Sequence, residues 1–142
     1  MRTLSVRRLR GVSRIRELTE RVAERLNAGD LEGWVALYSE DLEFVASDRW
    51  PETSPVRGRD GLRAFWAEFS GVWDDVQIQI DRLHEAEDAV VAECQWITRG
   101  RASGVEGTLE FVLGLWVNDG LIVRGQFFDE LDDALEAVGL AP

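Results

Sequence analysis

The spacing of the apolar residues changes once along the chain, near residue 73. Across residues 14 to 27 they recur every three or four positions, which is the period of an amphipathic helix. Across residues 76 to 81 they alternate with polar residues, which is the period of a strand with one buried face. The pattern therefore predicts a helical first part followed by a sheet.

Three helices are predicted in the first part. The first covers residues 14 to 27 and ends at Gly29, which suits a left-handed cap. Asp30 can cap a short second helix that stops near residues 39 to 41. The apolar side of that helix carries Leu31, Trp34, Leu37 and Tyr38. The third helix opens at residues 58 to 61, and its inner face carries Leu62, Phe65, Trp66 and Phe69.

The strands of the second part form an antiparallel meander. A separate strand over residues 42 to 46 and a loop over residues 47 to 57 come before the third helix. The meander strands run from Trp73 to a turn at residues 85 to 88, then over 89 to 99, 107 to 117 and 121 to 128. A short helix over residues 129 to 138 closes the chain. This order predicts an α+β fold with the helices packed on one face of a curved sheet.

Length and charge add the domain organisation. The chain has 142 residues, which fits one domain, and we expect that domain at residues 14 to 142 after a basic tail at residues 1 to 13. Residues 1 to 16 hold six Arg and no acidic residue, whereas the remainder holds all 27 acidic residues. A folded body this acidic repels phosphate backbones and anionic membranes. We therefore expect neither nucleic acid nor a membrane as partner. The tail is a targeting signal, an anion-binding arm or a mobile extension without either role.

Few residues here suit metal or disulfide chemistry. Cys94 is the single cysteine and cannot form an internal disulfide, and the Cys and His ligands of a structural zinc site are missing. We therefore expect no metal and no organic cofactor. The longest apolar run, residues 111 to 117, is far shorter than the roughly 20 residues of a membrane helix. We expect a soluble, cytoplasmic protein.

Several local strings resemble the nuclear-transport-factor-2-like superfamily, and within it the SnoaL-like domain proteins. The strings are LNAGD at 26–30, LYSED at 37–41, PVRGRD at 55–60, DGLI at 119–122 and FFD at 127–129. The resemblance covers about residues 15 to 140. It implies a cone-shaped α+β fold, a curved antiparallel sheet against three N-terminal helices, in a group that includes ketosteroid isomerases, limonene epoxide hydrolases and polyketide cyclases. It also implies a dimer.

The catalytic residues of these relatives match this sequence poorly. The base, tyrosine and oxyanion-binding carboxyl positions of ketosteroid isomerases fall on Ala46, Val22 and Val112. The Asp-Arg-Asp set of limonene epoxide hydrolases falls on Trp96, Cys94 and Asp129. Only Asp129 keeps the residue type that the resemblance implies.

Three residues are candidates for proton transfer. Asp129 follows the last strand on the face of Phe127, where it serves either as an acid or base or as the cap of the closing helix. His84 either approaches the cone on the face of Ile80 or lies at a solvated strand end. Asp48 lies two residues beyond the isomerase base position, in a loop that either covers the cone mouth or follows the surface.

Aromatic residues predict an apolar pocket suited to a flat hydrophobic ligand. The expected lining residues are Phe44, Trp50, Trp66, Cys94, Trp96, Val112, Trp116 and Phe127. The alternative is that these rings only fill the core. Cys94 is a poor nucleophile candidate, because an apolar setting raises the pKa of a thiol.

Two functions are compatible with these features. The first is a SnoaL-like pocket protein, an isomerase, cyclase or hydrolase that needs no cofactor and acts on a hydrophobic ring-containing substrate by acid/base chemistry. The second is a non-catalytic ligand-binding or dimerisation module that kept the fold without the catalytic set. We expect a homodimer because the strand at 107 to 117 is apolar on both faces. Its outer face is expected to carry Leu109, Phe111, Leu113, Leu115 and Val117, with Val112 and Trp116 facing inward.

Overall fold

Apart from one short strand, the helices and strands follow one another in the order that the residue spacing predicts. The computed structural model describes residues 2–45, 55–71, 73–100 and 106–140. The helices are α1 (Arg2–Asn27), α2 (Leu31–Val35), α3 (Gly58–Ser70) and α4 (Leu131–Ala137). The strands are β1 (Tyr38–Val45), β2 (Val56–Arg57), β3 (Trp73–Glu85), β4 (Ala89–Gly100), β5 (Glu106–Asn118) and β6 (Leu121–Phe128). None of the described helices is long and apolar enough to cross a membrane.

The six strands form one sheet in the order β2-β1-β6-β5-β4-β3. Neighbouring strands are antiparallel except β1 and β6, which run parallel. The four consecutive strands β3 to β6 are the predicted meander, and β1 joins it at the free edge of β6. The α+β prediction is confirmed.

Several predicted ends are confirmed by hydrogen bonds and backbone angles. The Gly33 backbone N–H donates to Asp30 Oδ1 at 3.0 Å, so Asp30 caps α2. Gly29 has φ +73°, as the end of α1 requires. The hairpin between β5 and β6 has positive φ at Asp119 and Gly120, 52° and 78°.

Other element boundaries differ from the prediction. α1 begins at Arg2 and not at residue 14, so the helix includes most of the residues assigned to the tail. α2 ends at Val35, and Tyr38 already belongs to β1. Val56–Arg57 was expected in a loop but pairs with β1 as strand β2. We predict that residues 1 to about 12 are dispensable for folding, which thermal unfolding of a chain that lacks them would test.

The two faces of the sheet are covered by different helices. The face that packs against α1, α2 and α3 is called the inner face, and the opposite one the outer face. Buried residues of the first core are shared between the helices and the inner face: Ile15, Leu18, Val22, Leu26, Trp34, Leu62, Ile78, Val90, Ala92, Leu113 and Leu115. On the outer face, Val91 packs with Val112, Phe128 and the α4 residues Ala134 and Leu135.

This arrangement corrects the predicted faces of β5. Phe111 and Leu113 lie on the inner face, paired with Cys94 and Ala92 of β4. Val112 lies on the outer face, under α4. The sequence was misleading because β5 is apolar on both faces, so alternation alone does not say which set points inward.

A bulge in β3 corrects the predicted face of His84. Ile80 pairs with Cys94 and Arg82 pairs with the next residue, Glu93, so Asp81 is an extra residue in the strand. One extra residue moves every later side chain to the opposite face. His84 therefore lies on the outer face and not on the face of Ile80.

At the other end of the meander, the residue before α4 is Glu130 and not Asp129, and the Glu130 side chain makes no capping hydrogen bond.

Candidate functional site

A cavity of about 400 Å³ lies between the helices and the inner face of the sheet. Its walls come from α1, α2 and α3 and from all six strands. The lining residues are Val22, Leu26, Trp34, Tyr38, Phe44, Pro55, Val56, Arg57, Gly61, Leu62, Ala64, Phe65, Trp66, Glu68, Ile78, Trp96, Phe111, Leu113 and Phe127. Most of these side chains are apolar, so the cavity offers contact area and few charges.

The C-terminal end of α1 is hydrogen-bonded to strand β3 at the wall of the cavity. The Asn27 side chain donates from Nδ2 to the Ile78 carbonyl oxygen at 2.9 Å, and its Oδ1 accepts from the Ile78 N–H at 2.8 Å. Both backbone groups of Ile78 are thus bonded to one side chain. This pair places Leu26 and Ile78, which both line the cavity, next to each other.

Aromatic rings form a continuous chain along the cavity wall. Trp34 is followed by Trp66, Trp96, Phe111, Phe127 and Phe44, with successive ring centroids 5.9, 6.1, 5.1, 5.6 and 5.0 Å apart. Such separations are typical of interacting aromatic pairs. These rings come from two helices, α2 and α3, and from four of the six strands, β1, β4, β5 and β6. We call these six residues the aromatic wall.

The corner between α2 and β1 contributes the most deeply buried polar atoms of the cavity. Trp34 and Tyr38 are 4% and 1% exposed, and their rings meet edge to face at 5.3 Å. Arg59 Nε donates to the Tyr38 carbonyl oxygen at 3.0 Å and ties α3 to this corner. Burial raises the pKa of the Tyr38 hydroxyl, and the neighbouring Trp34 side chain opposes only part of that rise. Tyr38 is therefore neutral at physiological pH.

The opening of the cavity lies between β2 and α3. The exposed lining residues are Pro55, Arg57, Ala64 and Glu68. Arg57 Nη2 lies 3.6 Å from Glu43 Oε2, and both side chains are solvated. The charged groups of the cavity are therefore at its rim, whereas its interior is apolar.

The structure brings four of the predicted pocket residues to the cavity: Phe44, Trp66, Trp96 and Phe127. Cys94 shares their face but lies buried in the core outside the lining. Burial, with a smaller effect of the Asp81 and Glu93 charges, raises the pKa of the Cys94 thiol to about 12.

Two predicted pocket residues lie elsewhere. Val112 and Trp116 face outward, because β5 has the opposite face assignment to the one expected. Trp116 lies under Arg124, whose Cζ is 5.6 Å from the ring centroid. Trp50 lies outside the described residues.

The two proton-transfer candidates that the structure describes, Asp129 and His84, do not line the cavity. Asp129 is exposed beyond the end of β6 and is not a lining residue. His84 Nε2 lies 2.8 Å from Glu93 Oε2 on the outer face. Asp48 lies outside the described residues. Within the described parts of the chain, no three His, Cys, Asp or Glu side chains are grouped closely enough to hold a metal ion.

Several lining residues were not expected from the sequence, chiefly Trp34, Tyr38, Phe111 and Leu113. Trp34 and Tyr38 were expected to be buried on one side of a helix, but that spacing does not say that they border empty space. Phe111 and Leu113 were assigned to the wrong face of β5. The register with β4 would have corrected this, because Cys94 and Trp96 were already placed inside.

Comparison with known proteins identifies the fold and its relatives. Residues 19–125 match the family model described as the SnoaL-like domain. No curated protein matches the chain in sequence. Many solved structures do match in fold, among them ones named for an NTF2-like or ketosteroid isomerase-like fold.

Three of these structures illustrate the range. TerC, co-crystallised with polyporic acid, is 20% identical with a TM-score of 0.73, covering 88% of this chain and 97% of that one. The Δ5-3-ketosteroid isomerase of a Mycobacterium species is 21% identical with a TM-score of 0.69, covering 84% and 95%. RV0760c of Mycobacterium tuberculosis, in complex with estradiol-17β-hemisuccinate, is 18% identical with a TM-score of 0.69, covering 84% and 95%. At these identities the likeness is one of fold.

Proposed function

The chain belongs to the SnoaL-like domain family, and we propose that it binds a small, ring-containing hydrophobic molecule in the cavity between α3 and the sheet. The observation that carries this proposal is the aromatic wall around about 400 Å³ of open space. Side chains that only filled a core would pack without such a space. Ligand pockets commonly have volumes of about 300 to 1,000 Å³ and mainly apolar walls.

The aromatic walls favour ligands built from rings over ligands with flexible aliphatic chains. Flat ligands gain from stacked and edge-on contacts with Trp and Phe, in addition to the apolar area they bury. The charged rim at Arg57 and Glu68 suits a polar end of the ligand that stays near water. Two proteins of the same fold hold polyporic acid and a steroid ester, respectively, which agrees with this class of ligand.

Acid/base catalysis is the second candidate function, as an isomerase, cyclase or hydrolase that needs no cofactor. It is favoured by the fold shared with a ketosteroid isomerase and a putative polyketide cyclase. The interior of the cavity favours binding instead, because Tyr38 is the one ionisable side chain among the described lining residues that is buried. Asp129 and Asp48 are the proposed proton-transfer groups to test first, and His84 comes third because it is already bonded to Glu93.

The mouth of the cavity offers a direct test of binding. Ala64 and Ala67 are both exposed on α3, but only Ala64 lines the cavity. Ala64→Trp would place a large ring at the opening, whereas Ala67→Trp would add the same ring to the same helix away from it. Binding of fluorene and of estradiol to the wild type and to both variants is measured by equilibrium dialysis.

We expect Ala64→Trp to weaken binding at least about tenfold and Ala67→Trp to leave it unchanged. In the wild type, ligand binding should also change the emission of Trp34, Trp66 and Trp96, since all three lie in the wall. Absence of binding by any flat ring compound would contradict the proposal. It would favour a non-catalytic interaction module whose cavity takes no such ligand.

We also propose that two copies associate through the outer face of the sheet. The proposed interface changes with the faces of β5, and now centres on Ile97 and Trp116, two half-buried residues of the outer face. A two-fold dimer would make this patch self-complementary. Sedimentation equilibrium at micromolar protein should give about twice the 16.0 kDa chain mass. A mass of one chain at all concentrations would contradict the dimer.

A further inference from the structure

Two of the described lining residues carry a charge, and they lie on the two sides of the cavity opening. Arg57 belongs to β2, and Glu68 belongs to the last turn of α3. Both side chains are exposed, so both are within reach of a polar group on a ligand whose rings lie inside the cavity. The charge of that group depends on which of the two residues is free to bind it.

The charge of Arg57 is already engaged within the chain. Arg57 Nη2 lies 3.6 Å from Glu43 Oε2, and the other oxygen of that carboxylate lies 3.3 Å from Arg124 Nη1. Glu68, in contrast, forms no ion pair with any other described residue. Glu68 is therefore the rim residue whose charge is left for a ligand.

The elements around the opening are acidic as a group. Together α2, β1, β2 and α3 carry six acidic residues against three arginines, and Arg124 adds a fourth arginine. The excess of negative charge continues over the body of the protein, since residues 17 to 142 hold all 27 acidic residues but only ten of the 16 basic ones. A field of this sign attracts cations, raises their rate of association and repels anions.

The aromatic lining beside Glu68 suits the same sign of charge. Phe65 and Glu68 both line the cavity and lie three residues apart on α3, so their side chains are neighbours on the helix surface. A cation is attracted both by a carboxylate and by the face of an aromatic ring, whereas an anion is attracted by neither. Trp gives the strongest such attraction, and Trp66 and Trp96 belong to the same lining.

We propose that the ligand is a ring system that bears a protonated amine, with its rings against the aromatic wall and its ammonium group at the rim beside Glu68. This rests on the proposed function of the cavity and adds the charge of the ligand. Because the ammonium group stays at the opening, it keeps contact with water, and only the rings are buried. The ligand class is thus an aromatic or polycyclic amine and not a carboxylic acid.

Three naphthalene compounds that share one ring system are the probes: 1-naphthylmethylamine, 1-naphthylmethanol and 1-naphthylacetic acid. At neutral pH the first is a cation, the second is uncharged and the third is an anion. Their dissociation constants are measured by equilibrium dialysis at low and at high salt. Because the amine and the alcohol have nearly the same shape, the ratio of their dissociation constants reports the effect of charge.

Glu68→Gln removes the charge at the rim. Glu136→Gln is the matched control, since it makes the same change at an exposed position of α4 on the outer face. We expect the wild type to bind the amine about tenfold more tightly than the alcohol, and the acid least tightly. This preference for the amine should fall about threefold in Glu68→Gln, stay unchanged in Glu136→Gln and decrease at high salt, because salt screens exposed charges.

The outcomes separate this proposal from the one on which it rests. If fluorene and all three naphthalene compounds fail to bind the wild type, the cavity is not a ligand site and both proposals fail. If fluorene binds, but the amine binds no more tightly than the alcohol or the acid, the cationic class fails and the ligand site stands. An equal loss of preference in Glu136→Gln would overturn the role of Glu68, since net charge alone would then explain the preference.

Discussion

The two faces of the sheet differ in how their polar and aromatic side chains are arranged. On the outer face, polar side chains are paired: Asp81 accepts from Gln79 and Gln95 at 2.7 and 2.8 Å, and His84 meets Glu93 at 2.8 Å. On the inner face, aromatic side chains enclose open space. The difference separates a face whose polar groups are bonded to one another from a face that borders a cavity.

This difference indicates where function can reside. A polar group whose hydrogen bonds are all made within the chain has little to offer a ligand, whereas unfilled volume is a cost of the free protein. That cost is recovered when a ligand binds. This agrees with our proposal that a small molecule binds at the inner face, beside the α2–β1 corner.

The largest expected effect concerns the reactivity of Cys94, the buried thiol of the inner face. Its pKa, raised by burial from 9.0 to about 12, lowers the thiolate fraction at pH 8 about a thousandfold. A thiol reagent should therefore label the folded protein at least about a thousandfold more slowly than the protein in guanidinium chloride. Because the chain has one cysteine, the measured rate belongs to Cys94 alone. Rapid labelling of the folded chain would mean that the inner face beside the cavity is open to water.

Alanine substitution of two glycines, one on each face, compares how the two faces tolerate an added methyl group. A Cβ at Gly125 would lie 2.6 Å from Cδ2 of the buried Phe44 ring, which is part of the aromatic wall. Gly125→Ala must push that ring into the cavity, and we expect a loss of about 1–3 kcal/mol in the free energy of unfolding together with weaker fluorene binding.

The matched change on the outer face is Gly114→Ala, whose Cβ would lie 3.0 Å from Cε2 of the half-buried Phe128. We expect it to cost less than about 1 kcal/mol, since overpacking at a yielding site is mild, and to leave fluorene binding unchanged. Urea unfolding and equilibrium dialysis measure both variants. Equal effects of the two alanines on binding would remove the distinction between the faces.

The smallest expected effect concerns Asp81, the extra residue of the β3 bulge. Hydrogen bonds from Gln95 and Gln79 hold the pKa of its carboxyl below the usual 3.8. A folded-state pKa below the unfolded one stabilises the protein at neutral pH, and this contribution disappears as the pH falls through the folded-state pKa.

Asp81→Asn should therefore lower the free energy of unfolding slightly at pH 7 and have no electrostatic effect below both pKa values. Urea unfolding at neutral and acidic pH would show the two curves converge. Asp75→Asn, at an exposed position of the same strand, is the control. A difference that persists in acid would mean that Asp81 matters through the shape of the bulge and not through its charge.

The order of helices and strands could be predicted from the sequence because each period extends over enough residues. Ile15, Leu18, Val22 and Leu26 are all buried as their spacing predicts, and the end of α1 and the hairpin before β6 follow from residues that accept positive φ. The family model and the solved structures confirm the predicted superfamily and fold.

The candidate site was only partly predictable, for two physical reasons. Alternation assigns a face only where one side of a strand is polar, and β5 has apolar residues on both sides. Strand register also depends on bulges, and nothing in the local sequence around Asp81 marks the extra residue that turns His84 outward. Phe44, Trp96 and Phe127 lie at the cavity on strands whose opposite face is more polar than that of β5, and Trp66 reaches the cavity from α3.

The two hydrogen bonds between Asn27 and Ile78 have a consequence for how this scaffold can vary. They join a side chain to backbone groups, so the position of α1 over the sheet does not depend on which side chains line the cavity. Wall residues can then be exchanged for larger or smaller ones while the helix keeps its distance from the strand. A protein engineer could resize the binding site at Val22 or Leu113 and use Asn27 as the residue to leave untouched.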